Sequence, residues 1–240
     1  MRENNRALRT KTKKTIIESM TENNSKTIEI CQTESPIASV IWLHGLGADG
    51  NDFVPVVEML NLPNIRFILP HAPYQKISMN NGYEMRAWYD LFGLKSSHPQ
   101  DEAGIHKTQA NIESLVAQEN QRGIANKQIV IAGFSQGGAI ALHLATRQSQ
   151  ALAGVLALST YLPLQDKLAS QKTQASLSTP IFMAHGKVDE VITLDRAQAS
   201  LAVLQNNAYQ VDWHEYPMAH SVHPQEINDI RAFLQKVLIN

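Results

Sequence analysis

Residues 133–137 read Gly133-Phe134-Ser135-Gln136-Gly137, directly after an apolar run at 128–132 and directly before a helical stretch at 138–148. A serine flanked by glycines at a strand-to-helix crossing leaves few folds open to the chain. The turn is sharp and strains the serine, and a Cβ on either flanking residue would run into the neighbouring strand or helix. The serine oxygen is thereby exposed at the carboxyl end of a strand, facing the first N–H groups of the helix that follows.

The rest of the chain repeats this alternation. Strand-length runs fall at 28–33, 39–43, 65–69, 128–132, 152–158, 180–184 and 210–215, and helix-period segments at 52–60, 103–122, 138–148, 194–205 and 224–238. That order predicts an α/β fold, a mostly parallel sheet flanked by helices on both faces. Val40-Ile41-Trp42-Leu43 and Ile129-Val130-Ile131-Ala132 are apolar throughout, as strands covered on both sides must be. The 28–33 run is placed at an edge. Residues 71–102 form a long connection with no regular element assigned. Reactive groups in such sheets collect at the carboxyl ends of strands, where Ser135, Asp189 and the His220 region all fall.

A serine hydroxyl is a weak nucleophile near neutral pH, so it needs a base to take its proton. Imidazole suits that task, and a carboxylate on its far nitrogen fixes the tautomer. On this fold the chain order is Ser, acid, His, with the acid after a late strand and the His in the last loop. Asp189, in the loop after 180–184, is the choice for the acid; Glu190 beside it would face the other way. Of nine histidines, His220 lies in the loop after the last strand, with His223 as the fallback at the start of the closing helix. Two backbone donors should serve an oxyanion: the N–H of Gln136, and that of Leu46 in His44-Gly45-Leu46-Gly47 after an early strand. In the 71–102 connection, Leu94 and Trp88 are candidates to line a groove for substrate. Trp88 reads equally well as core, with Arg86 and Asp90 paired around it.

Composition narrows the remaining classes. The 240 residues suit one domain, taken as 28–240, after a basic extension at 1–27 expected to be disordered. Residues 1–19 hold six basic side chains against two acids, without the apolar stretch of a secretory signal, and Met20 is an alternative start. A net charge of −1 gives no field to steer nucleic acid or an anionic membrane, and no run approaches a membrane span. The single cysteine, Cys31, rules out an internal disulfide and fits a cytoplasmic location. There is no H-E-x-x-H, no paired cysteines and no G-x-x-x-x-G-K-[ST], so neither a metal nor another cofactor is expected.

WLHGLGADGNDF (42–53), LPHAPYQKISMNNGYEMRAWYDLFG (69–93), the GFSQGG region within 101–142, FMAHGKVDEVI (182–192) and YPMAHSVHPQEI (216–227) occur in a fixed order. With them the chain resembles the acyl-protein thioesterase and carboxylesterase family, also called the phospholipase/carboxylesterase family, of α/β-hydrolase fold. The resemblance covers 28–240 and implies Ser135, Asp189 and His220 as nucleophile, acid and base, with Leu46 and Gln136 as oxyanion donors. It implies hydrolysis of carboxylic esters and thioesters through an acyl-enzyme. Short- to medium-chain acyl esters, acyl-proteins or lysophospholipids would be the substrates, with transient contact to lipid or acylated protein. Many members dimerise with facing active sites, so a homodimer is implied too. Ala219 replaces the glycine or proline often found before the base. Two other readings are weaker. A non-catalytic binding protein would not need the intact Ser–Asp–His order, and a peptidase of this fold would carry a cap or propeller domain.

Overall fold

Six strands, apolar on both faces except toward one edge, form the centre of the computed structural model, which describes residues 15–20 and 26–239. In chain order the elements are β1 (Thr15–Met20), β2 (Lys26–Cys31), β3 (Ala38–Leu43), α1 (Val54–Leu60), β4 (Ile65–Pro70), β5 (Tyr74–Ile77), β6 (Tyr83–Arg86), α2 (Glu102–Gln121), β7 (Ile129–Phe134), α3 (Gln136–Ala145), β8 (Gly154–Leu158), α4 (Leu168–Gln171), β9 (Ile181–Gly186), α5 (Leu194–Asn206), β10 (Val211–Tyr216) and α6 (Pro224–Leu238). The main sheet runs β1-β2-β4-β3-β7-β8-β9-β10. From β4 to β10 all pairings are parallel, while β2 is antiparallel to both β1 and β4. This is the expected mostly parallel sheet.

Alternate residues of each strand point to opposite faces, and each face carries its own core. Ile41, Ile131, Val155 and Met183 pack with residues of α2, α3 and α5. Val40, Trp42, Leu156 and Phe182 pack with residues of α1 and α6 on the other side. Every residue of β3, β4, β8 and β9 is buried, which explains why these strands read as continuous apolar runs.

Three expectations change. The 28–33 run is not an edge: it forms most of β2, and β1 pairs outside it. Residues 15–20 and 26–27, assigned to the disordered extension, are therefore strand, while its remainder at 1–14 and 21–25 lies outside the described residues. The 71–102 connection holds a two-stranded hairpin, β5 with β6. It closes through Asn81 (φ 55) and Gly82 (φ 75), consecutive left-handed residues that an Asn-Gly pair supplies at low cost.

Candidate active site

The site starts from backbone strain. Ser135 sits between β7 and α3 with φ 53 and ψ −119, outside the regions an L-residue prefers. The surroundings hold it there. Its N–H donates to the Leu158 carbonyl (2.9 Å), and its own carbonyl accepts from Thr160 Oγ1 (2.6 Å) and the Ala139 N–H (3.0 Å). The flanking glycines are required by space. A Cβ on Gly133 would lie 2.3 Å from the Gly137 carbonyl, and one on Gly137 would lie 2.3 Å from the Leu43 carbonyl oxygen.

The three residues read from chain order meet at this rim. His220 Nδ1 lies 2.7 Å from Asp189 Oδ2, and His220 Nε2 lies 2.9 Å from Ser135 Oγ. A carboxylate only accepts, so Nδ1 carries the proton and Nε2 is left bare to accept from the serine hydroxyl. The Asp189 side chain is fully buried. Its Oδ1 accepts from the Val191 and Ile192 N–H groups, each at 2.9 Å, so both oxygens are used. Glu190 is exposed. His223, the fallback base, caps α6 instead, its Nδ1 accepting from the Gln225 N–H (3.1 Å). The Phe134 ring lies 4.8 Å from the His220 ring, centroid to centroid, and confines it.

Two further histidines brace the loops around the triad. His44 is fully buried, accepts the Ala72 N–H at Nε2 (2.9 Å) and faces the Gly45 carbonyl through Nδ1 (2.7 Å). Burial lowers its pKa to about 4, against a smaller upward pull from the Gly45 carbonyl, so it stays neutral. Trp88 Nε1–H donates to the His44 carbonyl (2.8 Å), so the loop carrying Leu46 is held from several sides. His185, also buried, has Nε2 2.7 Å from the Ile192 carbonyl and 3.5 Å from Asp189 Oδ2, and burial lowers its pKa. The N–H groups of Leu46 and Gln136 make no protein hydrogen bond among the described residues, which leaves both available to an incoming oxygen.

A cleft of ≈ 570 Å³ opens over Ser135 and His220, walled by Phe53, Val56, Met79, Leu91, Leu94 and Tyr161 among others. Leu94 lines it, as expected. Trp88 does not: it is 4% exposed, packed in the core beside His44, with its N–H bonded to Gln136 Oε1 (2.9 Å). The groove assignment for Trp88 is therefore corrected to its core alternative, but without the Arg86–Asp90 pair. Arg86 donates to the Ala72 carbonyl and stacks over Tyr74, while Asp90 accepts from Ser78.

Sequence reasoning missed the Gln136 side chain, which bridges the Trp88 N–H and the Tyr89 carbonyl (2.7 Å) and ties α3 to the 71–102 connection. It also missed Tyr161, although its place just past the carboxyl end of β8 was a usable signal. No cluster of His, Cys, Asp and Glu able to hold a metal occurs among the described residues, and no helix there is long and apolar enough to cross a membrane.

A family model described as Phospholipase/Carboxylesterase matches residues 23–238, and the chain belongs to that family: it is a serine hydrolase of carboxylic esters with the α/β-hydrolase fold. Among its relatives is acyl-protein thioesterase 1 of Mycosarcoma maydis, 39% identical over 221 residues, covering 85% of this chain and 92% of that one. The Yarrowia lipolytica protein of the same name is 37% identical over 207 residues, covering 83% and 91%. Among solved structures, Zea mays acyl-protein thioesterase 2 superposes with a TM-score of 0.80 at 26% identity, covering 88% of this chain and 98% of that one. Arabidopsis thaliana SOBER1 also reaches 0.80, at 28% identity, covering 84% and 99%.

Proposed function

We propose that this cleft hydrolyses acyl esters and thioesters through an acyl-enzyme on Ser135, and that the acyl chain lies along the apolar wall that includes Leu94. One observation carries the reading: the bare Nε2 of His220 stands 2.9 Å from Ser135 Oγ while Asp189 holds the other ring nitrogen. His220 takes the hydroxyl proton as Oγ attacks the substrate carbonyl. The oxygen that becomes negative is met by the Leu46 and Gln136 N–H groups, donors typically worth about 3–4 kcal/mol each in a transition state. The imidazolium returns its proton to the departing alcohol or thiol, leaving the acyl group on Oγ. Water then attacks with His220 again as base, releasing the carboxylic acid and restoring the serine.

The thioester half of this reading draws support from the relatives named acyl-protein thioesterase 1. An acylated protein or lipid as substrate, and a homodimer, fit Phe92 and Val191, exposed apolar side chains at or next to cleft-lining positions. The unpaired Cys31 fits a cytoplasmic setting.

Asp189→Asn should cut kcat on an activated short-chain ester by about 10⁴-fold, because the amide stabilises the wrong tautomer of His220. Glu190→Gln, one residue on and exposed, should leave kcat within twofold. Equal losses, or none, would remove Asp189 from the site. For the acyl wall, Leu94→Ala is expected to move the chain-length optimum of ester hydrolysis. An unchanged profile across C2 to C12 esters would withdraw the groove assignment and leave the triad untouched.

A further inference from the structure

A second cavity of ≈ 660 Å³ lies beside the active-site cleft, and its chemistry is different: Lys95, Ser96, Glu190, Thr193 and Asp195 contribute to its walls. The two cavities have three lining residues in common, Leu94, Tyr161 and Val191. These form the partition between the apolar cleft and the polar chamber. Whatever holds the partition in place therefore decides how far an apolar chain can run from Ser135.

Tyr161 and Leu94 are both held by Arg196, from the first turns of α5. Its guanidinium lies over the Tyr161 ring, 3.4 Å from the centroid, and its Nη1–H donates to the Leu94 carbonyl. On the opposite side the Tyr161 hydroxyl is bonded to the buried Tyr89 hydroxyl at 2.9 Å. The ring is thus fixed at its edge by Tyr89 and across its face by a cation. A cation over an aromatic face is attracted by the ring's quadrupole, more strongly where water is excluded, and the planar guanidinium can stack and donate at once. The loop carrying Leu94 is joined to the same group. Arg196 lines the neighbouring chamber and not the cleft, so it acts on the cleft through the partition, without touching a substrate seated there.

We infer that Arg196 is a specificity-determining positioning residue, which sets the longest acyl chain this enzyme accepts by pinning Tyr161 and Leu94 as the end wall of the acyl cleft. The inference rests on the assignment of that cleft to the acyl chain. A chain longer than the cleft must push the partition aside and enter a chamber whose mixed walls carry Lys95, Glu190, Asp195 and hydroxyl groups beside Leu162 and Ala199, a less favourable setting for methylenes than the cleft. Without Arg196 the ring and the loop are free to part, and the cleft becomes continuous with the chamber.

The test is kcat/KM for p-nitrophenyl esters of C4, C8 and C12 acids, each below its critical micelle concentration, with thermal melts of every variant. In Arg196→Ala the C12-to-C4 ratio is expected to rise at least tenfold while the C4 value stays within twofold of wild type. Arg196→Lys keeps a cation able to reach the ring and the carbonyl, and should return the ratio at least halfway. If Arg196→Ala leaves the ratio unchanged, or lowers all three esters together, the inference is wrong. Leu94→Ala separates the two levels. A profile moved by Leu94→Ala and not by Arg196→Ala overturns the gate alone, whereas a profile moved by neither overturns the acyl assignment as well.

Discussion

Ser135→Ala is expected to lower kcat on an activated short-chain ester by about 10⁶-fold, with no loss of folding. The nucleophile, base and acid act as one unit, so removing the attacking oxygen removes the covalent route altogether. What survives should be the residual catalysis of two backbone donors and a binding cleft. The fold should tolerate the change, because the strained backbone at 135 (φ 53) is held by main-chain partners at Leu158, Thr160 and Ala139 and not by the hydroxyl. A melting temperature within a few degrees of wild type, together with near-complete loss of turnover, is the expected pair of results. His220→Ala in the Ser135→Ala background should then cost little more, since the base has nothing left to deprotonate.

The second large effect concerns pH and stability, and two buried groups push in opposite directions. His143, on the helix behind the nucleophile, is fully buried with both ring nitrogens unpartnered among the described residues. Burial, aided by Arg147 and His106, lowers its pKa from 6.5 to about 3. Between those values the unfolded chain binds a proton that the folded chain refuses, so stability falls as pH drops below about 6.5. By pH 4 this amounts to about 3 kcal/mol, a sizeable part of the roughly 5–15 kcal/mol that holds a typical domain together. His44, lowered to about 4, adds a comparable loss over the same window.

Glu226 works the other way. It is fully buried at the first turn of α6, with Oε2 accepting the His223 N–H (3.0 Å) and Oε1 without a partner among the described residues. Burial raises its pKa from 4.5 to about 7. Between those values the folded chain holds the proton and the unfolded chain does not, so stability falls as pH rises from about 4.5 to about 7 and levels off above that. Two histidine protons outweigh the single glutamate proton, so the expected outcome is a stability maximum close to neutrality and a fall that begins below about pH 6.5. Urea unfolding from pH 4 to 8 measures it. Glu226→Gln should be more stable than wild type by about 2–3 kcal/mol at pH 8 and equal to it near pH 4. His143→Leu should lose about 3 kcal/mol less than wild type between pH 8 and pH 4. Curves parallel to wild type would exclude these two residues as the source.

Much of this architecture was legible beforehand because its signals are local or ordered. The glycines at 133 and 137 announce a close approach of backbone to backbone, and that contact exists. The meeting of Asp189 and His220 beside Ser135 followed from chain order, since the carboxyl ends of parallel strands share one rim. The hairpin β5–β6 was not legible by periodicity. Tyr74, Tyr83 and Glu84 are exposed and only Ile77 is buried, so neither strand alternates. Its Asn81-Gly82 turn was the one available signal. Trp88 was ambiguous for a related reason: a large apolar residue in a long connection can face a cleft or the core. Only the reach of its indole N–H to the His44 carbonyl decides for the core. Arg196 gave no sequence signal, because a lone arginine on a surface helix is ordinary until its stacking partner is known.

Every step proposed for the cleft passes through an activated Ser135 Oγ. Intact-mass measurement after exposure to a fluorophosphonate probes that oxygen directly. A single phosphonyl adduct is expected on the wild-type chain, mapped by peptide analysis to Ser135, and none on Ser135→Ala. An unmodified wild-type chain, or an adduct that persists in Ser135→Ala, would contradict it.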